Sequence, residues 1–173
     1  RSDLSRPVSP VLIQTDACGT GDAAVYTTSV DLRDLRNECQ QPRTRPRDLG
    51  GDGECRKWSA EADLAAEFDA PLEPGAWRIA WQRKYPAGSA AAAAEINTKE
   101  LRALADGVRW ASRAPRTRRC RLVVQSDNVN AVGWVRKGRS SKPGPLRQCR
   151  RLAAMTLAEG IAVEARWVPT DRN

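Results

Sequence analysis

The stretch Ile96-Asn97-Thr98-Lys99-Glu100-Leu101-Arg102-Ala103-Leu104 places a carboxylate in the first turns of an amphipathic helix. Apolar side chains then recur at helical spacing through Val108 and Ala111. Glu100 shares a row with Leu104 and Val108, so it falls on the side of the helix that should face a core. A carboxylate in that position is costly unless a cap, a cation or a metal ion compensates it.

Two further carboxylates interrupt apolar segments elsewhere in the chain. Asp16 lies in Val11-Leu12-Ile13-Gln14-Thr15-Asp16-Ala17, and Asp127 closes Leu122-Val123-Val124-Gln125-Ser126-Asp127. Functional groups of open α/β sheets gather where strands end, so these two acids and Glu100 are predicted to converge. Converging carboxylates can hold two magnesium ions about 4 Å apart for phosphodiester hydrolysis. Because the chain lacks histidine and any CxxC pair, its oxygen ligands favour Mg²⁺ or Mn²⁺ over zinc.

Each of the three acids also has a structural interpretation. Asn97 and Glu100 have the spacing of a capping box at a helix start. Asp127 has the position of an N-cap for the helix that follows it. Asp16 is close to a glycine-bearing turn, where a lone aspartate is often structural. The residues alone leave these alternatives open, and the order of the three acids favours the metal site.

Composition and charge narrow the class of protein. The 173 residues include 29 Lys and Arg against 21 Asp and Glu, a formal net charge of +8, and the pI is near 9.8. This charge favours a polyanionic partner, with a basic protein that binds no nucleic acid as the alternative. Five cysteines without a pairing pattern predict reduced thiols in an intracellular protein, nuclear or cytoplasmic. No segment has the character of a signal peptide or a membrane span.

The hydrophobic pattern predicts one α/β domain with a mixed sheet, in the order β-β-β-α-β-α-α-β. Strands are predicted at Val11–Ala17, Ala23–Thr28, Trp77–Trp81, Leu122–Gln125 and Ile161–Val168, and helices at Asn97–Ser112, Asn128–Lys137 and Pro145–Glu159. Residues 1–10 contain prolines without periodicity and are interpreted as a linker, with the domain over 11–173. The proline- and glycine-rich segment at about 33–75 is interpreted as a surface insertion after the second strand.

Taken together, the motifs resemble the ribonuclease H domain of retroelement reverse transcriptases. The stretches that carry the resemblance are Thr15-Asp16-Ala17, Ile96-Asn97-Thr98-Lys99-Glu100-Leu101, Ser126-Asp127-Asn128, Lys137-Gly138-Arg139-Ser140-Ser141 and Arg166-Trp167-Val168-Pro169. The first three are similar to the family's strand aspartate, helix glutamate and third acid. The resemblance runs from about Val11 to Asn173, interrupted by the insertion.

This resemblance implies a ribonuclease H-like five-stranded mixed sheet flanked by helices. It implies endonucleolytic cleavage of the RNA strand of RNA·DNA hybrids with two Mg²⁺ (or Mn²⁺) ions, held by the catalytic acids Asp16, Glu100 and Asp127. Asn97 would contact the RNA backbone across the minor groove, where 2′-hydroxyls are displayed. The other candidates for nucleic-acid binding are Asn128, Lys137, Arg139, Ser140 and Ser141. The family context implies a reverse transcriptase polymerase domain in the same polypeptide.

The chain departs from the family pattern at its C-terminal end. The family's fourth acid follows an asparagine placed like Asn173, whereas Asp171 precedes it. We therefore expect a domain that is truncated at the C-terminus and lacks one metal ligand. One rival hypothesis is a degenerate, non-catalytic ribonuclease H-like domain with a nucleic-acid-binding or structural role. Another is a different nuclease or a transposase on the same fold.

Overall fold

A five-stranded mixed sheet lies at the centre of the structure, a computed structural model that describes residues 5–40, 76–170 and 173. The strands are β1 (Val8–Ala17), β2 (Gly21–Thr27), β3 (Arg78–Lys84), β4 (Arg121–Ser126) and β5 (Ala162–Trp167). Their order across the sheet is β3-β2-β1-β4-β5. The β1–β2 and β2–β3 pairs are antiparallel, whereas the β1–β4 and β4–β5 pairs are parallel. The predicted five-stranded mixed sheet is confirmed.

The two central strands owe their position to apolar residues on both faces. All six residues of β4 are buried, and Val11, Leu12 and Ile13 of β1 are at most 1% exposed. Continuous apolar runs of this kind are typical of strands that are covered on both sides. β3 lies at the edge of the sheet, and its residues are exposed or only half-buried.

Five α-helices occur among the described residues: α1 (Leu32–Gln40), α2 (Ala90–Ala93), α3 (Ile96–Ser112), α4 (Val129–Lys137) and α5 (Pro143–Glu159). The last three correspond to the predicted helices, with ends that agree within two residues. α4 and α5 end at Gly138 and Gly160, which both have a φ of 65°. Glycine adopts this left-handed conformation without a Cβ clash, so both helices stop where the sequence predicts.

Different helices cover the two faces of the sheet. α3 packs over the face that carries Ile13 and Val124, and α1 packs over the face that carries Leu12 and Val123. Because consecutive strand residues point to opposite faces, α1 and α3 lie on opposite sides of the sheet. Gly107 permits the close approach of α3, since a Cβ there would lie 3.0 Å from Thr15 Cγ2.

Two segments differ from the sequence interpretation. Residues 8–10, interpreted as linker, begin β1, and the backbone N–H of Arg121 donates to the carbonyl of Pro7 at 2.8 Å. Residues 33–40, interpreted as the start of the insertion, belong to α1, because Leu35 and Cys39 bury their side chains against the sheet. The rest of the predicted insertion, residues 41–75, lies outside the described residues.

Two expectations from composition concern cysteines and membranes. Cys18, Cys39, Cys120 and Cys149 are free thiols in the structure. Among the described helices, none combines the length and apolar character needed to cross a membrane.

Candidate metal centre

Three carboxylates meet at the edge of the sheet where β1 and β4 end. Asp16 is the next-to-last residue of β1, Asp127 directly follows β4, and Glu100 is the fifth residue of α3. The parallel pairing of β1 with β4 brings the C-terminal ends of these strands to the same edge. One carboxylate oxygen of each residue lies within 4.8 Å of the other two. The structure thus brings together the three acids that the sequence singled out.

Neither Glu100 nor Asp127 serves as a helix cap. α3 begins at Ile96, with Glu95 at the N-cap and no side-chain capping bond, so the expected capping box of Asn97 and Glu100 is absent. The N-cap of α4 is Asn128, whose Oδ1 accepts from the Ala131 N–H at 3.0 Å. Helix capping therefore explains neither carboxylate.

Glu100 is a buried acid with little compensation. Its residue exposure is 3%, and Oε1 accepts a hydrogen bond from the Ala17 N–H at 3.1 Å. Oε2 is buried and has no hydrogen-bond partner among the described residues. Burial, and then the charges of Asp16, Asp127 and Asp22, raise the pKa of Glu100 to about 8. A cation at this position would supply the missing partner for Oε2.

Asp16 is the solvent-facing member of the group. Burial and the charge of Asp127 raise the pKa of Asp16 above its ordinary value, although hydrogen bonds with the Ala17 backbone and the Glu100 side chain oppose the shift. Asp16 also lines a cleft of about 490 Å³ that extends over the β1–β2 turn to Gln82 and Arg83 of β3. The carboxylates are therefore reachable from solvent through Asp16.

Two asparagines lie together next to the acids. Asn128 Nδ2 donates to Asn97 Oδ1 at 2.9 Å, while Asn128 Oδ1 caps α4. Asn97 is the second residue of α3 and is half-buried. With Oδ1 engaged, the Asn97 amide group keeps its Nδ2 hydrogens for a ligand, which fits the predicted contact with a nucleic-acid backbone.

The predicted phosphate-contacting residues lie at the C-terminal end of α4 and in the loop that follows. Lys137 is the last residue of α4, and both Lys137 and Arg139 are exposed. Ser140 Oγ accepts from the Lys142 N–H at 3.2 Å, and Ser141 is exposed. Lys142 Nζ pairs with Glu95 at 3.1 Å and so ties this loop to the start of α3. Phosphate binding by these four residues remains a prediction.

Lys99 and Trp167 lie in the quoted motifs, but their support of the acids was not predicted from the sequence. Lys99 is 5% exposed, and its Nζ donates to the Gly19 carbonyl at 3.0 Å, which fastens the β1–β2 turn to α3. Trp167 Nε1 donates to the Asp127 carbonyl at 2.8 Å and holds the end of β4. These partners are distant in sequence, and no local periodicity reveals such bonds.

A second group of carboxylates, on the β2–α3 side of the centre, is paired with arginines. Asp22 in β2 has a fully buried side chain and accepts from Arg83 at 2.5 Å and from Arg102 at 3.3 Å. Asp106 in α3 pairs with Arg83 at 2.8 Å and with Arg151 at 2.5 Å. We call these five residues the arginine network. No pattern in the sequence marks these residues as paired.

The C-terminal residue lies beside the strand that carries Asp16. Asn173 Nδ2 donates to the Thr15 carbonyl at 3.3 Å. Asp171, the in-chain candidate for a fourth acid, lies outside the described residues.

Comparisons with known proteins identify the fold of the chain. No protein-family model and no curated protein sequence matches it. Among solved structures, it is similar to the N-terminal RNase H domain of Rv2228c from Mycobacterium tuberculosis, solved as a fusion with maltose-binding protein. The TM-score is 0.52 at 17% sequence identity, and the match covers 94% of this chain and 84% of that chain. The chain therefore has a ribonuclease H-like fold.

Proposed function

We propose that this ribonuclease H-like domain is an endonuclease that cleaves the RNA strand of RNA·DNA hybrids with the help of two divalent metal ions. The observation that carries the proposal is the group formed by Asp16, Glu100 and Asp127, whose oxygens lie within 4.8 Å of one another. The group lies at the strand ends where α/β folds commonly place their active sites. Within the group, the buried Glu100 has a raised pKa and an unpartnered Oε2, which distinguishes it from acids that only support the fold.

The donor set fits Mg²⁺ or Mn²⁺. Three carboxylates offer hard oxygen ligands, and the unpartnered Oε2 of Glu100 is a ligand atom without any other role among the described residues. When bound, divalent ions supply an activated water and neutralise charge at phosphorus. The protein's share is to hold the three carboxylates at fixed positions. The Ala17 N–H orients Glu100, and Trp167 anchors the backbone of Asp127.

The neighbouring polar residues favour a nucleic acid with 2′-hydroxyls as the substrate. The free Nδ2 hydrogens of Asn97 provide donors beside the acids, and Asn128 fixes the orientation of that amide. Lys137 and Arg139 add positive charge, and Ser140 and Ser141 add hydroxyl donors for phosphates. The net charge of +8 supports a polyanionic partner. An RNA·DNA hybrid meets each of these requirements.

The test is cleavage of a hybrid whose RNA strand is end-labelled, in Mg²⁺ and in Mn²⁺. We expect metal-dependent RNA cleavage that falls at least about a hundredfold in Asp16→Asn, since a metal ligand is removed. Asp34→Asn provides a matched control, because Asp34 is an exposed acid of α1 on the opposite face of the sheet. Equal cleavage by Asp16→Asn and the wild type would contradict the proposal.

A second candidate is a non-catalytic ribonuclease H-like domain that binds hybrid without cutting it. It is favoured because the described residues bring together three acids, whereas the resembled family uses four. Binding of the labelled hybrid in a filter-binding assay, without RNA cleavage in either metal, would support this candidate. Absence of both binding and cleavage would contradict both functions.

We further propose that the domain belongs to a retroelement reverse transcriptase with a polymerase domain in the same polypeptide. The motif resemblance supports this context, because reverse transcription generates RNA·DNA hybrids. Peptide mapping of the native polypeptide that contains these residues tests it. The expected result is one polypeptide whose other peptides include a polymerase domain, and a native polypeptide without one would contradict it.

A further inference from the structure

A second cleft, of about 440 Å³, opens between β3 and the outer side of α3. Its lining includes Trp81 and Arg83 from β3, Asp106, Arg109 and Trp110 from α3, and Arg113 just beyond α3. No candidate residue of the metal centre belongs to it. We call it the tryptophan cleft.

The tryptophan cleft carries a net positive charge, and only some of its arginines are paired with an acid. Arg83 and Asp106 neutralise each other at 2.8 Å. Arg109 and Arg113 are exposed, and neither guanidinium has a hydrogen-bond or ion-pair partner within the described parts of the chain. Two free guanidinium groups one helical turn apart fit successive phosphates of a polyanion better than they fit an apolar partner.

The cleft also presents aromatic surface. Trp110 is held by ring contact with Tyr26, at a centroid distance of 4.6 Å. Trp81 is half-buried, and the guanidinium of Arg83 lies 5.3 Å from its ring centroid. Both indoles are therefore fixed in position before any ligand arrives. Fixed aromatic rings beside free cations are the combination on which single-stranded nucleic acids bind, by base stacking and phosphate pairing.

The tryptophan cleft adjoins the cleft at the carboxylates. Both clefts are lined by Gln82 and Arg83, so they meet at the edge strand β3. Along α3, Arg109 lies nine residues after Glu100, or about 13 Å at the helical rise. That axial separation places Arg109 away from the three acids, so the cleft is a site separate from the candidate metal centre.

We propose that the tryptophan cleft binds a single-stranded nucleic-acid segment, with its phosphates on Arg109 and Arg113 and a base against the indoles. Such a segment can extend past the edge strand β3 toward a duplex held at the carboxylates, and only this extension rests on the proposed function. Binding of the single strand by itself requires neither metal nor cleavage.

The test measures binding of a fluorescein-labelled oligothymidylate by anisotropy in EDTA. We expect Arg109→Ala/Arg113→Ala to bind about tenfold more weakly than the wild type. The slope of log affinity against log salt should fall by about 1.4, since two phosphate contacts are lost. The matched control is Arg33→Ala/Arg36→Ala, which removes the same charge from exposed positions of α1 on the opposite face.

A large loss in the cleft variant with less than about twofold loss in the control supports the proposal. Equal losses in the two variants, or no binding by the wild type, would overturn it. Far-UV circular dichroism checks that both variants fold, which is expected because all four arginines are exposed. As a second readout, the oligonucleotide should quench tryptophan fluorescence less in Trp81→Phe. Unchanged quenching would overturn the stacking contact.

The extension to a hybrid is tested by adding a single-stranded overhang of six nucleotides to the substrate. In EDTA the overhang should raise the affinity of the wild type for the hybrid several-fold. It should raise the affinity of Arg109→Ala/Arg113→Ala only slightly. An equal increase in affinity in both proteins would overturn the proposal that the single strand extends from a duplex at the carboxylates. Absence of RNA cleavage contradicts the proposed endonuclease activity but does not affect the predicted binding of single strands. The two proposals can therefore fail independently.

Discussion

The metal centre and the arginine network contain the same kind of residue, a buried carboxylate, in two different environments. Asp22 has a fully buried side chain that accepts from Arg83 Nε at 2.9 Å and pairs with Arg102 at 3.3 Å. Glu100 is 3% exposed, receives one backbone hydrogen bond and lies beside two further acids. The two carboxylates are thus similarly buried, and only one has a cationic partner.

This difference fits a structural role for Asp22 and the proposed metal-binding role for Glu100. Removing a carboxylate from water is expensive, and arginine pairing recovers much of that free energy. The fold therefore accounts for Asp22 without a ligand. Glu100 has no such cationic partner among the described residues, and burial raises its pKa to about 8. A buried carboxyl group without a cation beside it fits the proposed metal-binding role.

The largest expected difference between the two regions is in catalysis. Glu100→Gln should reduce metal-dependent cleavage of an RNA·DNA hybrid at least about a hundredfold, because the amide cannot replace an anionic metal ligand. Asp106→Asn in the arginine network should retain most of the activity. Initial rates in 5–10 mM Mg²⁺, a range chosen for saturation, measure both. Similar losses in the two variants would remove the distinction between the regions.

The reverse order is expected for stability. Asp22→Asn should lower the free energy of unfolding by about 2 kcal/mol, because Arg102 loses its buried counter-charge. This expected loss of stability is smaller than the loss on breaking a fully buried ion pair, because 43% of the Arg83 side chain is exposed to solvent. Urea denaturation at pH 7 measures it. The exposed-acid variant Asp34→Asn should change stability by less than about 0.5 kcal/mol, and an equal effect of the two variants would contradict the prediction.

The sequence singled out the three acids of the candidate metal centre and did not single out the arginine network. Asp16 and Glu100 each break a local hydrophobic pattern, and Asp127 ends one, so a single segment is enough to single out each acid. The bond between Asp22 and Arg83 joins residues 61 positions apart, and the bond to Arg102 spans 80. Charged residues on a strand and a helix are normally solvated, and only the three-dimensional fold shows that these are buried together.

The same reasoning explains the errors in the segment boundaries. The spacing of Leu32, Leu35 and Cys39 is helical, yet arginines separate them and a proline-rich segment follows, so α1 was interpreted as part of an insertion. β3 continues to Lys84 through Gln82 and Arg83, which are polar because an edge strand has an exposed side. Hydrophobic patterns in the sequence predict the bounds of fully buried elements well. They underestimate the length of elements that have one solvent-exposed face.

The pH dependence of stability provides a smaller and more specific distinction. The pKa of Glu100 is about 8 in the folded state against an ordinary 4.5. The folded state therefore binds the Glu100 proton more tightly than the unfolded state does. The stabilisation that this proton provides is fully present below pH 4.5 and is lost as the pH rises to 8. In EDTA, Glu100→Gln should be as stable as the wild type at pH 4. At pH 8 it should be at least about 1.4 kcal/mol more stable.

Thermal unfolding at several pH values measures this difference. Mg²⁺ should raise the melting temperature of the wild type at pH 8, because the ion supplies the counter-charge, and it should have less effect on Glu100→Gln. Asp34→Asn serves as the control, since an exposed acid should give a curve parallel to that of the wild type. A parallel curve for Glu100→Gln as well would show that Glu100 is already compensated in the folded chain.

The smallest expected effect concerns Asn128, which contributes to the fold and to the centre at once. Its Oδ1 caps α4 and its Nδ2 orients Asn97. Asn128→Ala should lower the free energy of unfolding by about 1 kcal/mol through loss of the cap, whereas Asn128→Ser should restore most of it. Both variants should weaken hybrid binding equally, because serine cannot reproduce the bond to Asn97. If serine also restores binding, Asn128 acts on the substrate only through the stability of α4, and the asparagine pair belongs with the structural residues.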